Sequence, residues 1–309
     1  MGPAVAAVRP SWLSVWWRAV RPYAFTASVT PVLVGTAVAI YHGMFNAVLL
    51  LATLVAAMAI HAATNLTNDY YDHVRGVDAT QPIGPGGAIQ EGLLSPRAVL
   101  TGALVLFALS GVLGLWLVAV RGWPILVIGV LSVLAGYAYT GGPLPLGYVG
   151  LGDLTVFLFM GVVTVVGSYY VQTRSVTAAA IWASLPVAAL VDGILVVNNL
   201  RDIDNDRAKG KRTFATLIGR GPTRAFFLML LLFAYLSVML AVVLEVLPPG
   251  ALLVFLTLPS AAAVWTVVRG TDEALPLTVG GIRGTAQLHM KVGVLLALGL
   301  LLAYTIRRL

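Results

Sequence analysis

Apolar stretches long enough to cross a bilayer recur from residue 24 to residue 305, separated by short polar breaks. With about 20 residues needed per spanning helix, the pattern predicts nine spans, over 24–41, 46–68, 97–119, 123–140, 151–171, 177–200, 223–246, 250–268 and 286–305. Two breaks differ from the rest. Asn65-Leu66-Thr67-Asn68-Asp69-Tyr70-Tyr71-Asp72 continues directly from the second span, and Asn198-Asn199-Leu200-Arg201-Asp202-Ile203-Asp204-Asn205-Asp206 from the sixth. The last turns of those two helices are therefore polar and predicted to face a cavity. Each cluster follows the second span of a four-span group, which puts both on one side of the membrane. The predicted architecture is all-α and polytopic, a single transmembrane domain over 1–309: a pseudo-repeat of spans one to four and five to eight, plus a ninth, around a central cavity.

Composition agrees with this class: 59% of residues are hydrophobic, only 10% are charged, and mean hydropathy is +0.93. The absence of cysteine excludes a disulfide framework and a thiolate metal site. Trp12, Trp16, Trp17, Arg18 and Arg21 make the first 22 residues an amphipathic interfacial segment rather than a cleaved leader. With the N-terminus inside, Arg121, Arg174, Arg307 and Arg308 fall outside and the other 15 of 19 Lys and Arg fall inside. The basic balance is thus membrane topology, not nucleic-acid binding. It predicts an inner (cytoplasmic) membrane protein with both clusters toward the cytoplasm.

The clusters hold the chemistry. Six of the 12 acidic residues lie in them or beside them, counting Asp78. A carboxylate at membrane depth costs about 2.5–3.5 kcal/mol, so such a concentration marks a site. At 100° per residue Asn65, Asn68, Asp69 and Asp72 share an arc of roughly 100°, and Asn198, Asn199, Asp202, Asn205 and Asp206 share one of about 120°. Asp204 points the opposite way. Two faces of carboxylate and amide oxygens suit Mg²⁺, which takes one or two carboxylates together with substrate phosphate oxygens. Arg207, Lys209, Lys211 and Arg212 follow at once. A basic loop beside metal ligands is what a diphosphate needs, because carboxylates alone repel it. A cation- or proton-coupled transporter is the other class with acids at broken helices, but it does not require that loop.

Asn68-Asp69-Tyr70-Tyr71-Asp72 resembles the NDxxD motif of the UbiA superfamily of intramembrane prenyltransferases, and Asp202-Ile203-Asp204-Asn205-Asp206 resembles its DxxxD motif. The resemblance covers nearly the whole chain. Tyr139-Thr140-Gly141-Gly142-Pro143-Leu144-Pro145-Leu146, Gly150-Leu151-Gly152-Asp153, Gly210-Lys211-Arg212-Thr213 and Thr285-Ala286-Gln287-Leu288-His289 are similar to the branch that prenylates 1,4-dihydroxy-2-naphthoate in menaquinone synthesis. Two departures separate the chain from 4-hydroxybenzoate-type members. Gly76 stands where many carry a third acid, leaving Asp78 nearest, and Gly141 and Gly142 follow Tyr139 where they place a Lys or Arg.

The resemblance implies Mg²⁺-dependent transfer of a polyprenyl group from polyprenyl diphosphate to 1,4-dihydroxy-2-naphthoate, giving demethylmenaquinone, CO₂ and diphosphate. Homogentisate or 4-hydroxybenzoate are the alternative acceptors. It implies Asp69, Asp72, Asp202 and Asp206 as catalytic, with Asn65, Asn68 and Asn198 completing the metal set. Arg21, Arg75, Lys211 and Arg212 then hold the diphosphate, and Tyr139, Asp153, Tyr169 and Asn199 line the substrate cavity. Tyr137, Phe157 and Tyr170 are further candidates to face the allylic cation, and His73, His289 and Lys291 to touch the acceptor. The isoprenoid tail lies between helices, open to the lipid bilayer.

Overall fold

The structure is a computed structural model and describes residues 10–76 and 87–309. A short amphipathic helix, α1 (Trp12–Ala19), precedes nine apolar helices: α2 (Pro22–Tyr41), α3 (Ala47–Val74), α4 (Pro96–Arg121), α5 (Pro124–Ala138), α6 (Gly152–Thr173), α7 (Ala178–Ala208), α8 (Arg220–Val243), α9 (Pro249–Gly270) and α10 (Ala274–Arg308). Start signals are local. Asn46 caps α3 by accepting from the Val48 and Leu49 N–H groups at 3.0 and 3.1 Å, Thr177 caps α7, and Pro96, Pro124 and Pro249 sit in first turns, where no N–H is needed.

Eight of the nine are long and apolar enough to cross a membrane, so the chain is a multi-pass membrane protein. One of the nine predicted spans is not confirmed: at 123–140 the structure has the shorter apolar helix α5. Its 15 residues reach only about 22 Å at 1.5 Å per residue, against a hydrocarbon core of about 30 Å. Elsewhere the helices outrun the predicted spans, because α3 and α7 carry straight on through their polar clusters.

Helix α7 is the axis of the bundle, with 72% of its apolar window buried against 22% for α4. It packs on α2, α6, α8 and α10, and its small residues allow close approach: a Cβ at Gly161 of α6 would stand 2.3 Å from Ala188 of α7. Helix α3 packs on α4, and α10 returns to pack on α2, closing a ring. Leu104, Val105 and Val112 of α4 stay exposed, as a lipid-facing surface should. Two helices carry π-helical stretches, at Val156–Val163 of α6 and Leu277–Ile282 of α10. Such stretches favour functional sites, and here both reach the same cavity.

Candidate active site

One cavity of about 1280 Å³ runs into the bundle, and both polar clusters line its mouth. From α3 come Asn65, Asn68, Asp69 and Asp72; from α7 come Asn198, Asn199, Asp202, Asn205 and Asp206; Lys211 completes the polar end. The helical arcs therefore meet, because each helix stays regular through its cluster. Deeper in, the walls are apolar: Phe107, Leu117 and Val118 of α4, Ile125 of α5, and Phe159, Met160 and Val163 of α6.

Each carboxylate of the two motifs is engaged within the chain. Asp69 pairs with Arg21, and Asp72 accepts from the Tyr148 hydroxyl. Asp202 is held bidentately by Arg201, Nε at 2.7 Å and Nη2 at 2.5 Å, while the same guanidinium reaches Asn198 at 3.0 Å and Thr278 at 3.3 Å. Lys211 stands 3.6 Å from Asp206, whose second oxygen is buried without a partner. The Asp69 carboxylate pushes Arg21 above its ordinary pKa, against burial, which lowers it. Burial, then Asp72, pushes Tyr148 far up, so it remains a phenol donor. Burial also raises Tyr139, with Asp153, Asp192, Asp72 and Asp206 adding to it.

Asp204 reaches the cavity's edge but turns away: its side chain is 76% exposed and pairs with Arg220 at 2.7 Å. The partner is thus Arg220 rather than a neighbour in its own cluster.

Among the described residues no three acidic or histidine side chains are gathered into a closed metal site. The donor set nonetheless fits Mg²⁺. It offers carboxylates in pairs, amide oxygens beside them and an unpartnered Asp206 oxygen, which leaves positions for substrate phosphate oxygens.

A family model described as the UbiA prenyltransferase family matches residues 28–279. The chain belongs to that family. It is 35% identical to the 1,4-dihydroxy-2-naphthoate octaprenyltransferase of Bacillus subtilis (strain 168), over 94% of this chain and 93% of that one. The Escherichia coli (strain K12) protein of the same name is 34% identical over 70% of this chain and 72% of its own. Human UbiA prenyltransferase domain-containing protein 1 is 31% identical over 92% and 82%. Among solved structures, a UbiA homolog from Archaeoglobus fulgidus bound to GPP and Mg²⁺ shares the fold, with a TM-score of 0.65 at 18% identity, covering 91% of this chain and 99% of that one. The enzyme is accordingly a prenyltransferase.

Several residues singled out from the sequence of this UbiA-family enzyme lie elsewhere. Arg75 points to the Thr140 and Gly142 carbonyls and sits between the Tyr71 and Tyr148 rings, off the cavity wall. Arg212 is exposed, its backbone N–H bonded to the Tyr148 carbonyl. Tyr169 is buried beyond the C-terminal end of α2, where its hydroxyl meets His42 Nδ1 at 2.9 Å. Asp153 is buried beside Tyr139 without lining the cavity. Tyr137 bonds Tyr71, Phe157 packs on Phe233, and neither they nor Tyr170, His73, His289 and Lys291 face the cavity. Tyr139 and Asn199 do. Asp78 lies outside the described residues.

Residues that sequence reasoning passed over include Tyr148, Arg201, Tyr23, Phe107, Phe159 and His61. Arg201 was visible inside its motif, and His61 shares the α3 face one turn below Asn65. Nothing in the sequence marks Phe107 or Phe159 among other core aromatics.

Proposed function

We propose that this enzyme transfers a polyprenyl group from polyprenyl diphosphate to 1,4-dihydroxy-2-naphthoate, releasing diphosphate and CO₂, in the pathway to menaquinone. The observation that carries the reading is a single cavity with two acidic faces and Lys211 at one end and an apolar length beyond. A diphosphate fits the first and an isoprenoid chain the second. The acceptor follows the Bacillus subtilis and Escherichia coli relatives, matched over most of this chain.

Asp69, Asp72, Asp202 and Asp206, with Asn65, Asn68 and Asn198, would hold Mg²⁺. Bound there, the ion supplies charge neutralisation to the departing diphosphate. Lys211 and Arg21, released from their carboxylates, bind diphosphate oxygens and stabilise the charge left when the allylic C–O bond breaks. The bonding pair leaves with the diphosphate, a ring carbon of the acceptor supplies the pair for the new C–C bond, and the carboxylate departs as CO₂. Tyr148 holds Asp72 in place by donating to it, Tyr139 presents a neutral ring and hydroxyl to the reacting groups, and the apolar walls keep water from the cation. The Lys and Arg bias supports an orientation with this end of the cavity toward the cytoplasm, in the cytoplasmic membrane.

The test is prenyl transfer from a radiolabelled polyprenyl diphosphate in purified membranes, with 1,4-dihydroxy-2-naphthoate, homogentisate and 4-hydroxybenzoate in competition. Preferred turnover of the naphthoate, with labelled CO₂ released from a carboxyl-labelled acceptor, supports the proposal. Faster turnover of either rival overturns the acceptor.

A further inference from the structure

Of the arginines that line the cavity, Arg21 is paired with Asp69 and Arg201 with Asp202. Arg283 differs: among the described residues it has no hydrogen bond and no ion pair. It stands five residues beyond Thr278, whose hydroxyl meets Arg201 at the α7 face. Gln287 follows one turn on, along the same cavity-lining face of α10. A guanidinium presents a planar fork of donors that matches a carboxylate or a phosphate. One left without a partner in a ligand cavity is available to an anionic group of a substrate.

On α3, His61 lines the same cavity one turn below Asn65. Its Nδ1 lies 2.8 Å from Ser28 Oγ of α2, and its ring stands edge-on to Phe25 with centroids 5.8 Å apart. These contacts fix the imidazole and leave Nε2 without a partner among the described residues. Thr53, Thr64, Thr164 and Ser168 also line the cavity, but their hydroxyls donate to carbonyls of their own helices. Both unsatisfied groups border the start of α2, His61 through Ser28 and Phe25, and Arg283 through its charge on Tyr23. The prenyl diphosphate satisfies neither: its phosphates belong with the acidic faces and Lys211, and its tail is hydrocarbon. The acceptor of the proposed reaction satisfies both. It offers a carboxylate to the guanidinium, and to His61 a ring hydroxyl that gives and takes hydrogen bonds and so suits either tautomer. The 1-hydroxyl, adjacent to the carboxylate, bonds to it internally, which leaves the 4-hydroxyl for His61.

We propose that Arg283 and His61 form the acceptor subsite, Arg283 binding the carboxylate of the dihydroxynaphthoate and His61 its 4-hydroxyl, and that this pair sets acceptor specificity. The assignment rests on the proposed function. Held at two points, the ring has its orientation to the allylic carbon fixed before the C–C bond forms, which is how positioning lowers the barrier.

The probe is tritiated 1,4-dihydroxy-2-naphthoate, kept reduced and bound to the full-length enzyme in nanodiscs with Mg²⁺ and a non-reactive thiolodiphosphate donor. It is displaced by two analogues, the 2-carboxamide and 1-hydroxy-2-naphthoate, which lacks the 4-hydroxyl. Arg283→Gln should weaken binding of the acid about thirtyfold and leave the carboxamide bound as before, so that the preference for the acid disappears. Arg283→Lys should keep part of that preference. His61→Leu should weaken the dihydroxy acid about fivefold and leave 1-hydroxy-2-naphthoate unchanged, with His61→Gln nearer the unaltered enzyme. KM for the prenyl diphosphate should stay within about twofold in all four. Weaker binding of acid and carboxamide alike would reduce Arg283 to a structural role, a raised KM for the diphosphate alone would make it a diphosphate ligand, and no change would make it a topological charge; each overturns the subsite. Equal loss of both hydroxy acids in His61→Leu would remove His61 from it. Failure of naphthoate transfer, with an acid preference that still vanishes in Arg283→Gln for whichever acceptor turns over, would refute the proposed acceptor and leave the Arg283 site standing.

Discussion

The two acidic faces carry the same residue types and are held in opposite ways. On α3 both carboxylates are fixed from outside the helix: Asp69 by Arg21, 48 residues away, and Asp72 by Tyr148, 76 away. On α7 they are fixed locally, Asp202 by its neighbour Arg201 and Asp206 by Lys211, from the turn that ends the helix. Releasing the α7 face for a metal and a diphosphate moves side chains only. Releasing the α3 face unhooks Arg21, which sits between α1 and α2 in a left-handed conformation at φ 55. The first face is thereby coupled to the amphipathic helix α1, which packs on Leu66, Val99 and Ala103 and is tied by Arg18 to Glu91. The second face is held mainly from its own end of α7, with one bond beyond it, from Arg201 to Thr278 of α10. One site thus has a half tied to the scaffold and a half held mainly by its own helix.

The largest effect should be common to both halves. Asp69→Asn and Asp206→Asn should each lower turnover on the order of a hundredfold, and chelation by EDTA should abolish it, while the variants still insert. Full activity after chelation would refute the metal assignment for both faces together.

The halves should separate next. Removing Arg21 leaves Asp69, with a side chain only 9% exposed, buried without its counter-charge, a change worth roughly 3–5 kcal/mol. Arg21→Ala should therefore lower the melting temperature by several degrees and raise KM for the prenyl diphosphate. Arg201→Ala exposes an Asp202 that is already 31% exposed and should shift melting little. Arg21→Gly should recover about 1 kcal/mol of the Arg21→Ala loss, because glycine adopts a positive φ freely. Equal melting of Arg21→Ala and Arg201→Ala would dissolve the contrast between the faces.

A smaller effect divides two neighbours in the basic loop. Lys211 lines the cavity and Arg212 does not, so Lys211→Ala should raise KM for the diphosphate about tenfold, a loss of about 1.4 kcal/mol. Arg212→Ala should stay within about twofold, and KM for the acceptor should move in neither.

The fold and the mouth of the site were legible for a physical reason. A spanning helix must bury every backbone polar group within itself, so hydropathy marks where helices lie, and phase then marks which polar residues share a face. That logic grouped Asn65, Asn68, Asp69 and Asp72 on one helix and Asn198, Asp202 and Asp206 on another, and all of them line one cavity. It failed where geometry depends on packing between helices. Tyr169 and Tyr139 look alike as aromatics in apolar context, yet only Tyr139 reaches the cavity. Arg75 and Lys211 look alike as cations beside a motif, yet Arg75 is spent on loop carbonyls. The missed Tyr148 sits in the loop after Gly142, whose path back over α3 no periodicity encodes. Only the length of α5 departs from the prediction, the helix covering Pro124–Ala138 of a span expected over 123–140.

Asp204 is the finest test of the comparison, because it lies within the second motif and composition cannot tell it from Asp202 or Asp206. Helical phase puts it roughly 160° from both, and the helix is intact around it, with the Lys209 N–H on the Asn205 carbonyl at 3.2 Å and the Lys211 N–H on the Asp206 carbonyl at 2.8 Å. Its carboxylate meets Arg220 at 2.7 Å in an exposed pair, of a kind worth about 0–1 kcal/mol. Arg220 keeps Asp272 at 2.9 Å and the Leu200 carbonyl at 3.2 Å when Asp204 is gone. Asp204→Asn should therefore retain activity within about twofold and melt within a degree or two of the unaltered enzyme, measured beside Asp202→Asn and Asp206→Asn. Comparable loss in all three would mean that the end of α7 unwinds when substrate binds, bringing Asp204 round to the metal. The local character of the second face would then belong only to the unliganded state.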